Sequence, residues 1–415
     1  MLKLSLWRMV ATFLLALVVT ACGGGNGGTA APPSDFKVTP GNGQVTLTWT
    51  AQPGVDYWVM YAPTAIPIDI KNPPSNHAWL TNNITSPYVL NGLTNGVTYS
   101  FAMNARTGGG KGGAQTASVS AVPRYAGSTW ISGTSTLSAM RGLAYGTASD
   151  STLNYVAVGA AGTIYKGIEG VIQGVTGMVW NTVTPVANIN FNAATYAFGK
   201  FIAVGDSGTN NIYTSADMAT WTAATTSVTT KLNAIASNGT TVLAVGDLGT
   251  LFSSANGSTW TTIPALAGTP NLYGVGYSAG GYWIVVGQNG FISTSTDLTT
   301  WTTRFNTGST LRSVAASAAN VFVAVGDSGA FVKSTDGVTW TAQTAFSSAN
   351  LYALTTDSVQ FIAVGQGGAI YTSLDASGWA AATSNTNSND LTAVVGSASK
   401  YVAVGAAGAN ISSVH

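Results

Sequence analysis

From residue 125 onward the chain repeats itself. Tryptophans in phase with the repeat fall at Trp130, Trp180, Trp221, Trp260, Trp301, Trp340 and Trp379, and strands of the "AVG" type end at Gly159, Gly205, Gly246, Gly287, Gly326, Gly365 and Gly405. Both series count seven, and a period of about forty residues holds four short strands. A unit of that size cannot bury its apolar faces alone, whereas units arranged around an axis bury one another. The pattern therefore predicts an all-β, seven-bladed β-propeller over residues 125–415. Its ends complement each other: "LTAVVGSASKYVAVGAAGANISS" has three strands and no terminal Trp, and Trp130 has no three strands before it. The segment around Trp130 is expected to complete the unit of residues 391–415, which removes the open edges of the ring.

A second motif runs in phase with this period: "TSADMATW", "SSANGSTW", "TSTDLTTW", "KSTDGVTW" and "TSLDASGW". An Asp side chain accepts backbone N–H groups of its own turn, and Gly or Asn tolerates the left-handed position beside it. The Trp then packs a large apolar surface between units. Asp217, Asp297, Asp336 and Asp375, with Asn256 as a degenerate copy, are read as turn staples. Trp221, Trp260, Trp301, Trp340 and Trp379 are read as the packing residues. One Asp per turn falls short of the six to eight oxygens that calcium takes, so no metal is expected. The motif resembles the Asp-box, or BNR, repeat of sialidase-type propellers, which implies a hairpin between the third and fourth strands of each blade. The whole segment resembles the seven-bladed BNR propellers of the photosystem II assembly-factor type. That resemblance implies a non-catalytic protein that handles protein partners.

At the N-terminus, Lys3 and Arg8 precede the apolar run Met9–Val19, shorter than the roughly twenty residues that span a bilayer. Residues 1–21 are predicted to be a signal peptide. "VVTAC" resembles the lipobox of bacterial lipoproteins, which implies acylation of Cys22, the only cysteine, and a membrane anchor without a spanning helix. Gly23 after it implies the outer membrane, with the protein facing the periplasm or the cell surface. Residues 22–32 are read as a Gly-rich linker. In residues 33–124, "QVTLTW", "YWVMY" and "TYSFAMNA" alternate as the strands of a β-sandwich do. Trp49 and "LTNGVTY" resemble the core Trp and tyrosine corner of a fibronectin type III domain. That resemblance implies a spacer.

Composition excludes several functions. The net charge is +1 and charged residues make up 7% of the chain, against about a quarter in typical domains. Nucleic acid, whose phosphates need clustered Lys and Arg, is not an expected partner. His77 lies in the sandwich and His415 ends the chain, which leaves no imidazole for a Ser-His-Asp arrangement or for zinc. The repeat segment holds Arg141, Arg304, Arg312 and one Glu, Glu169, too little for the arginine triad and Tyr-Glu pair that sialidases use. Asp206, Asp247 and Asp327 share an "AVGDSG"-type turn and are read as turn chemistry. No cofactor is expected.

The first strand of each unit opens with "MRGL", "FNAA", "LNAI", "LYGV", "LRSV", "LYAL" or "LTAV". The second position varies among Arg141, Asn192, Asn233, Tyr273, Arg312, Tyr352 and Thr392, while its neighbours barely change. First strands line the axis of such a ring, so these seven side chains are expected to converge at the end opposite the Asp turns and form a ligand site. The expected function is a non-catalytic, monomeric binding or scaffold propeller for a protein or carbohydrate at the cell envelope. The alternative is a polysaccharide-active glycoside hydrolase or lyase, which the short loops disfavour. Only the first unit is expanded, by "KGIEGVIQGVTGMVW", at the end away from the expected site.

Overall fold

A computed structural model describes residues 27–413 apart from 82–83, 124–126, 134–136, 150–151, 173–174, 187–188, 207–209, 225–228, 307, 358–359, 383–387 and 398–399. The signal segment, Cys22 and His415 lie outside the described residues. Among those described, no helix is long and apolar enough to cross a membrane. The chain divides into two compact units near Val122.

In the first unit, Lys37–Gly41, Gln44–Thr48 and Tyr88–Asn91 form one antiparallel sheet. The other sheet contains Thr29–Ala30, Asp56–Ala62, Ala78–Leu80, Tyr99–Arg106 and Val119–Ala121. The period-2 alternation sends Val45, Leu47, Tyr57, Val59, Phe101 and Met103 into one core with Trp49. The Tyr99 hydroxyl accepts the N–H of Thr94 at 3.2 Å, which pins the turn before its strand. Thr29 and Ala30 fall within the stretch read as linker, yet they pair with Arg106 and Ala105. Main-chain pairing at a sheet edge needs no side-chain pattern, so composition could not reveal it.

The second unit contains, among the described residues, seven four-stranded antiparallel sheets. Sheets I to VI span 140–183, 191–223, 232–263, 272–306, 311–342 and 351–381. Sheet VII takes three strands from 391–413 and its outermost strand from Trp130–Ser132, with Trp130 opposite Ser413 and Ile131 opposite Ser412. The first strand of each sheet lies beside that of the next, and Leu391–Gly396 lies beside Met140–Thr147, so the series closes on itself. Apolar side chains fill the space between neighbours. Val323 and Val325 of sheet V meet Leu351 and Phe361 of sheet VI, and Tyr155 and Ala157 of sheet I meet Val402 and Val404 of sheet VII. Second strands such as Phe322–Gly326 are buried along their whole length. They are covered on both faces, which is why "AVG" segments read as continuous apolar runs rather than alternating ones.

The Asp turns join third and fourth strands. Asp336 Oδ1 accepts the N–H groups of Val338 and Thr339 at 2.8 and 2.7 Å and the Ser334 hydroxyl at 3.0 Å. Trp340 Nε1 donates to Gly337 O at 3.2 Å, which locks the ring onto the turn. The same two N–H bonds recur at Asp217, Asn256, Asp297 and Asp375. These donors, the Thr339 N–H foremost, pull the Asp336 carboxyl down to about 2. The residue after the Asp or Asn is left-handed. Gly257 and Gly337 take that conformation freely, but Met218, Leu298 and Ala376 hold φ of 62°, 64° and 57°. The side-chain staple enforces there what the backbone alone disfavours.

Candidate functional site

The glycine that ends each second strand sets up the geometry. A Cβ on Gly326 would lie 2.0 Å from the Thr310 carbonyl oxygen, and one on Gly246 would lie 1.9 Å from that of Lys231. The backbones come this close because the first strand is bulged at that point. In sheet III, Leu232 and Ala234 pair with the consecutive residues Gly246 and Val245 and skip Asn233. All seven sheets do the same, and the skipped residues are Arg141, Asn192, Asn233, Tyr273, Arg312, Tyr352 and Thr392. A bulge re-aims the side chain it carries. The seven residues all line one cavity of about 220 Å³.

They are not equivalent. Asn192 donates to Asp206 Oδ1 at 3.0 Å and to the Leu232 carbonyl of the next sheet at 2.9 Å. Asn233 repeats the pattern with Asp247 Oδ1 at 2.7 Å and the Leu272 carbonyl at 2.9 Å. Thr392 donates to the Met140 carbonyl at 2.6 Å, across the junction where the ring closes. These three side chains tie one sheet to the next. Arg312 gives Nε and Nη2 to the two oxygens of Asp327 as a fork, so its donors on that side are committed. Its guanidinium lies between two aromatic faces, 5.5 Å from the Tyr273 centroid and 5.8 Å from that of Tyr352. Arg141 is exposed and donates to Asn192 Oδ1 at 3.1 Å. The Tyr352 hydroxyl reaches Asp390 Oδ2 at 3.4 Å. The groups left to meet a ligand are Arg141, Tyr273, Tyr352 and the face of Arg312.

Three carboxylates that the sequence reading assigned to turn chemistry belong to this network. Asp206, Asp247 and Asp327 follow the "AVG" glycine and reach back to the skipped residue of their own sheet. Burial alone would raise Asp206, but hydrogen bonds from Asn192 and Asn190 and the charges of Lys231 and Arg141 outweigh it and hold the carboxyl below its ordinary range. A signal for the pairing exists in the repeat. Where the second position is Asn192, Asn233 or Arg312, the residue after the glycine is Asp; where it is Tyr273 or Tyr352, that residue is Gln288 or Gln366. Beside this network runs a chain of staples. Oδ1 of Asn190, Asn271, Asn350 and Asp390 accepts the N–H of Ala161, Leu248, Ser328 and Gly367, each in the preceding sheet.

The remaining polar candidates lie elsewhere. Arg304 is on an outermost strand and donates to Thr294 Oγ1 at 2.8 Å. His77 is in the first unit, with Nδ1 2.6 Å from Pro74 O. Among the described residues, no cluster of three His, Cys, Asp or Glu side chains is placed to hold a metal ion.

This architecture is an all-β, propeller-like fold. It is similar to the solved structure of YCF48 bound to D1 peptide, with 15% identity and a TM-score of 0.53 over 69% of this chain and 94% of that one. It is also similar to virginiamycin B lyase from Staphylococcus aureus, with 10% identity and a TM-score of 0.57 over 69% of this chain and 98% of that one. A third similar structure is the WD40 β-propeller domain of Doa1, with 9% identity and a TM-score of 0.54 over 69% and 95%. Identities this low establish the fold alone. No family model and no curated protein matches the sequence.

Proposed function

We propose that this protein is a non-catalytic binding propeller of the bacterial cell envelope, held to the outer membrane by lipid on Cys22. The second unit is a seven-bladed propeller of the Asp-box class, and the first is a fibronectin type III-like spacer. The observation that carries the binding reading is the cavity at the skipped positions. Residues that vary from sheet to sheet converge there within a scaffold that repeats, and those with a donor or a ring face left for a ligand are Tyr273, Tyr352, Arg141 and Arg312. Tyrosine and arginine dominate recognition sites because each offers a broad contact face together with a polar tip. A protein or a carbohydrate fits that chemistry. The turn staple at Asp336 and the Tyr99 contact with Thr94 support the two class assignments.

A glycan-cleaving reading has one observation in its favour, the carboxylates of Asp206, Asp247 and Asp327 in the network around one cavity. Asp206 is held ionised, which unfits it as a general acid. Two experiments decide. Capture from envelope extract should yield a partner that Tyr352→Ala or Arg141→Ala weakens by about 1–3 kcal/mol, while Asp336→Ala leaves capture by the folded protein intact. Release of reducing sugar from a polysaccharide panel would overturn the binding reading. Cys22→Ser should remove lipid labelling; unchanged labelling refutes the anchor.

A further inference from the structure

A second cavity of this unit lies at the opposite end of sheet I from the skipped residues. Its volume is about 600 Å³, and Tyr145, Leu153, Asn154, Tyr155, Lys166 and Glu169 are among the residues that line it. That size falls within the roughly 300–1,000 Å³ typical of small-molecule sites. The expanded hairpin of sheet I, strands Ile164–Ile172 and Val175–Val183, raises one side of it. Ser397 of sheet VII stands behind, and its Oγ accepts the Tyr155 hydroxyl at 3.0 Å. The lining residues belong to sheet I, and sheet VII buttresses them from behind through Ser397 and Lys400.

Three features of the site call for a ligand. Tyr145 and Tyr155 form an aromatic pair with centroids 4.8 Å apart, and Leu153 beside them is 61% exposed. Asn154 is fully buried and lines the cavity, yet its Oδ1 accepts no hydrogen bond from any described residue. Lys400 is 5% exposed and forms an ion pair with Glu169. In that pair Glu169 Oε1 lies 3.7 Å from Nζ, on a side chain that is 45% exposed and belongs to the cavity wall. Burial lowers Lys400 and the Glu169 charge opposes that shift. An aromatic face, an orphan acceptor and a half-exposed carboxylate suit a molecule with one apolar face and a rim of hydroxyl donors. Pyranose sugars have that character: their C–H face stacks on tyrosine, and their hydroxyls can donate to Asn154 Oδ1 and to Glu169. A phosphate-bearing ligand would meet the Glu169 charge.

We propose that this cleft on sheet I is a sugar-binding site, separate from the cavity at the skipped residues. The full chain would be titrated by calorimetry with cellotriose, chitotriose, maltotriose and xylotriose, with Glu169→Gln and Tyr145→Leu as site variants and Arg141→Ala as the control at the other end. Binding of at least one trisaccharide is expected. Each site variant should weaken it about tenfold or more, as loss of a charged hydrogen bond or a stacking face would, and Arg141→Ala should leave it unchanged. Three results overturn the proposal: no heat with any of the four sugars, binding that survives both site substitutions, or binding that Arg141→Ala abolishes. Because the control belongs to the other cavity, failure here leaves the proposed binding function standing.

Discussion

Replacing Trp130 with Ala tests whether the ring is held shut by the strand that precedes it in sequence. Trp130 is 1% exposed, its ring lies 6.5 Å from that of Tyr401, and Nε1 donates to Gly127 O at 2.7 Å. Truncating a buried Trp costs about 3–5 kcal/mol through lost burial and the cavity left behind. Unfolding entropy of about 2.1 cal/mol/K per residue, over about 290 residues, gives roughly 0.6 kcal/mol/K, so Tm should fall by about 5–8 °C. A cavity alone could produce that drop, so a second variant isolates the closure. Ile131 and Ser412 are opposite one another across the closing pair of strands. Cysteines at these two positions would close a loop of about 280 residues, for which chain entropy predicts up to about 5–6 kcal/mol of stabilisation. Calorimetric melts with and without reductant read both arms. If the disulfide forms and leaves Tm unchanged, or if Trp130→Ala shifts it by less than about 1 °C, the closing role of Trp130–Ser132 is wrong.

Three further outcomes are expected. Asp336 is pulled below the usual carboxylate range, so its contribution to stability is complete above about pH 4 and disappears as pH falls through about 2; Asp336→Asn should flatten that limb of a urea-melt pH series, Asn256→Asp should steepen it, and identical acid limbs would contradict the staple. Gly326→Ala places a methyl against the Thr310 carbonyl and should destabilise by about 1–3 kcal/mol, whereas Gly378→Ala, which faces open space, should be neutral in the same denaturant titration. A double-mutant cycle on Arg312 and Asp327 should give a coupling of about 1 kcal/mol or less, because the pair is about one-third exposed and screened by solvent; a coupling several times larger would mean the fork is effectively dry.

The repeat was legible because its determinants are local. The staple at Asp336 is made within the six residues from Ser334 to Thr339, and burial of each second strand on both faces requires a continuous apolar run wherever it recurs. Such features are written in short windows, so the sequence alone determined the all-β character, the phase of the units and the complementarity of Trp130 with the final repeat. The variable second position was legible too, as variation against a constant background. What those side chains do there was not. Whether Asn192 ties two sheets together or Arg312 surrenders its fork to Asp327 depends on a bulge that aims each residue and on partners about fifteen to forty positions away. Thr29 and Ala30 joined a sheet through main-chain bonds, for which side chains carry no code. The cleft beside Tyr145 lay furthest from view, since Glu169 and Lys400 approach one another only after the first and last sheets meet. Ring closure decides that encounter, and the cost of leaving sheet edges unpaired is what drives the ring to close.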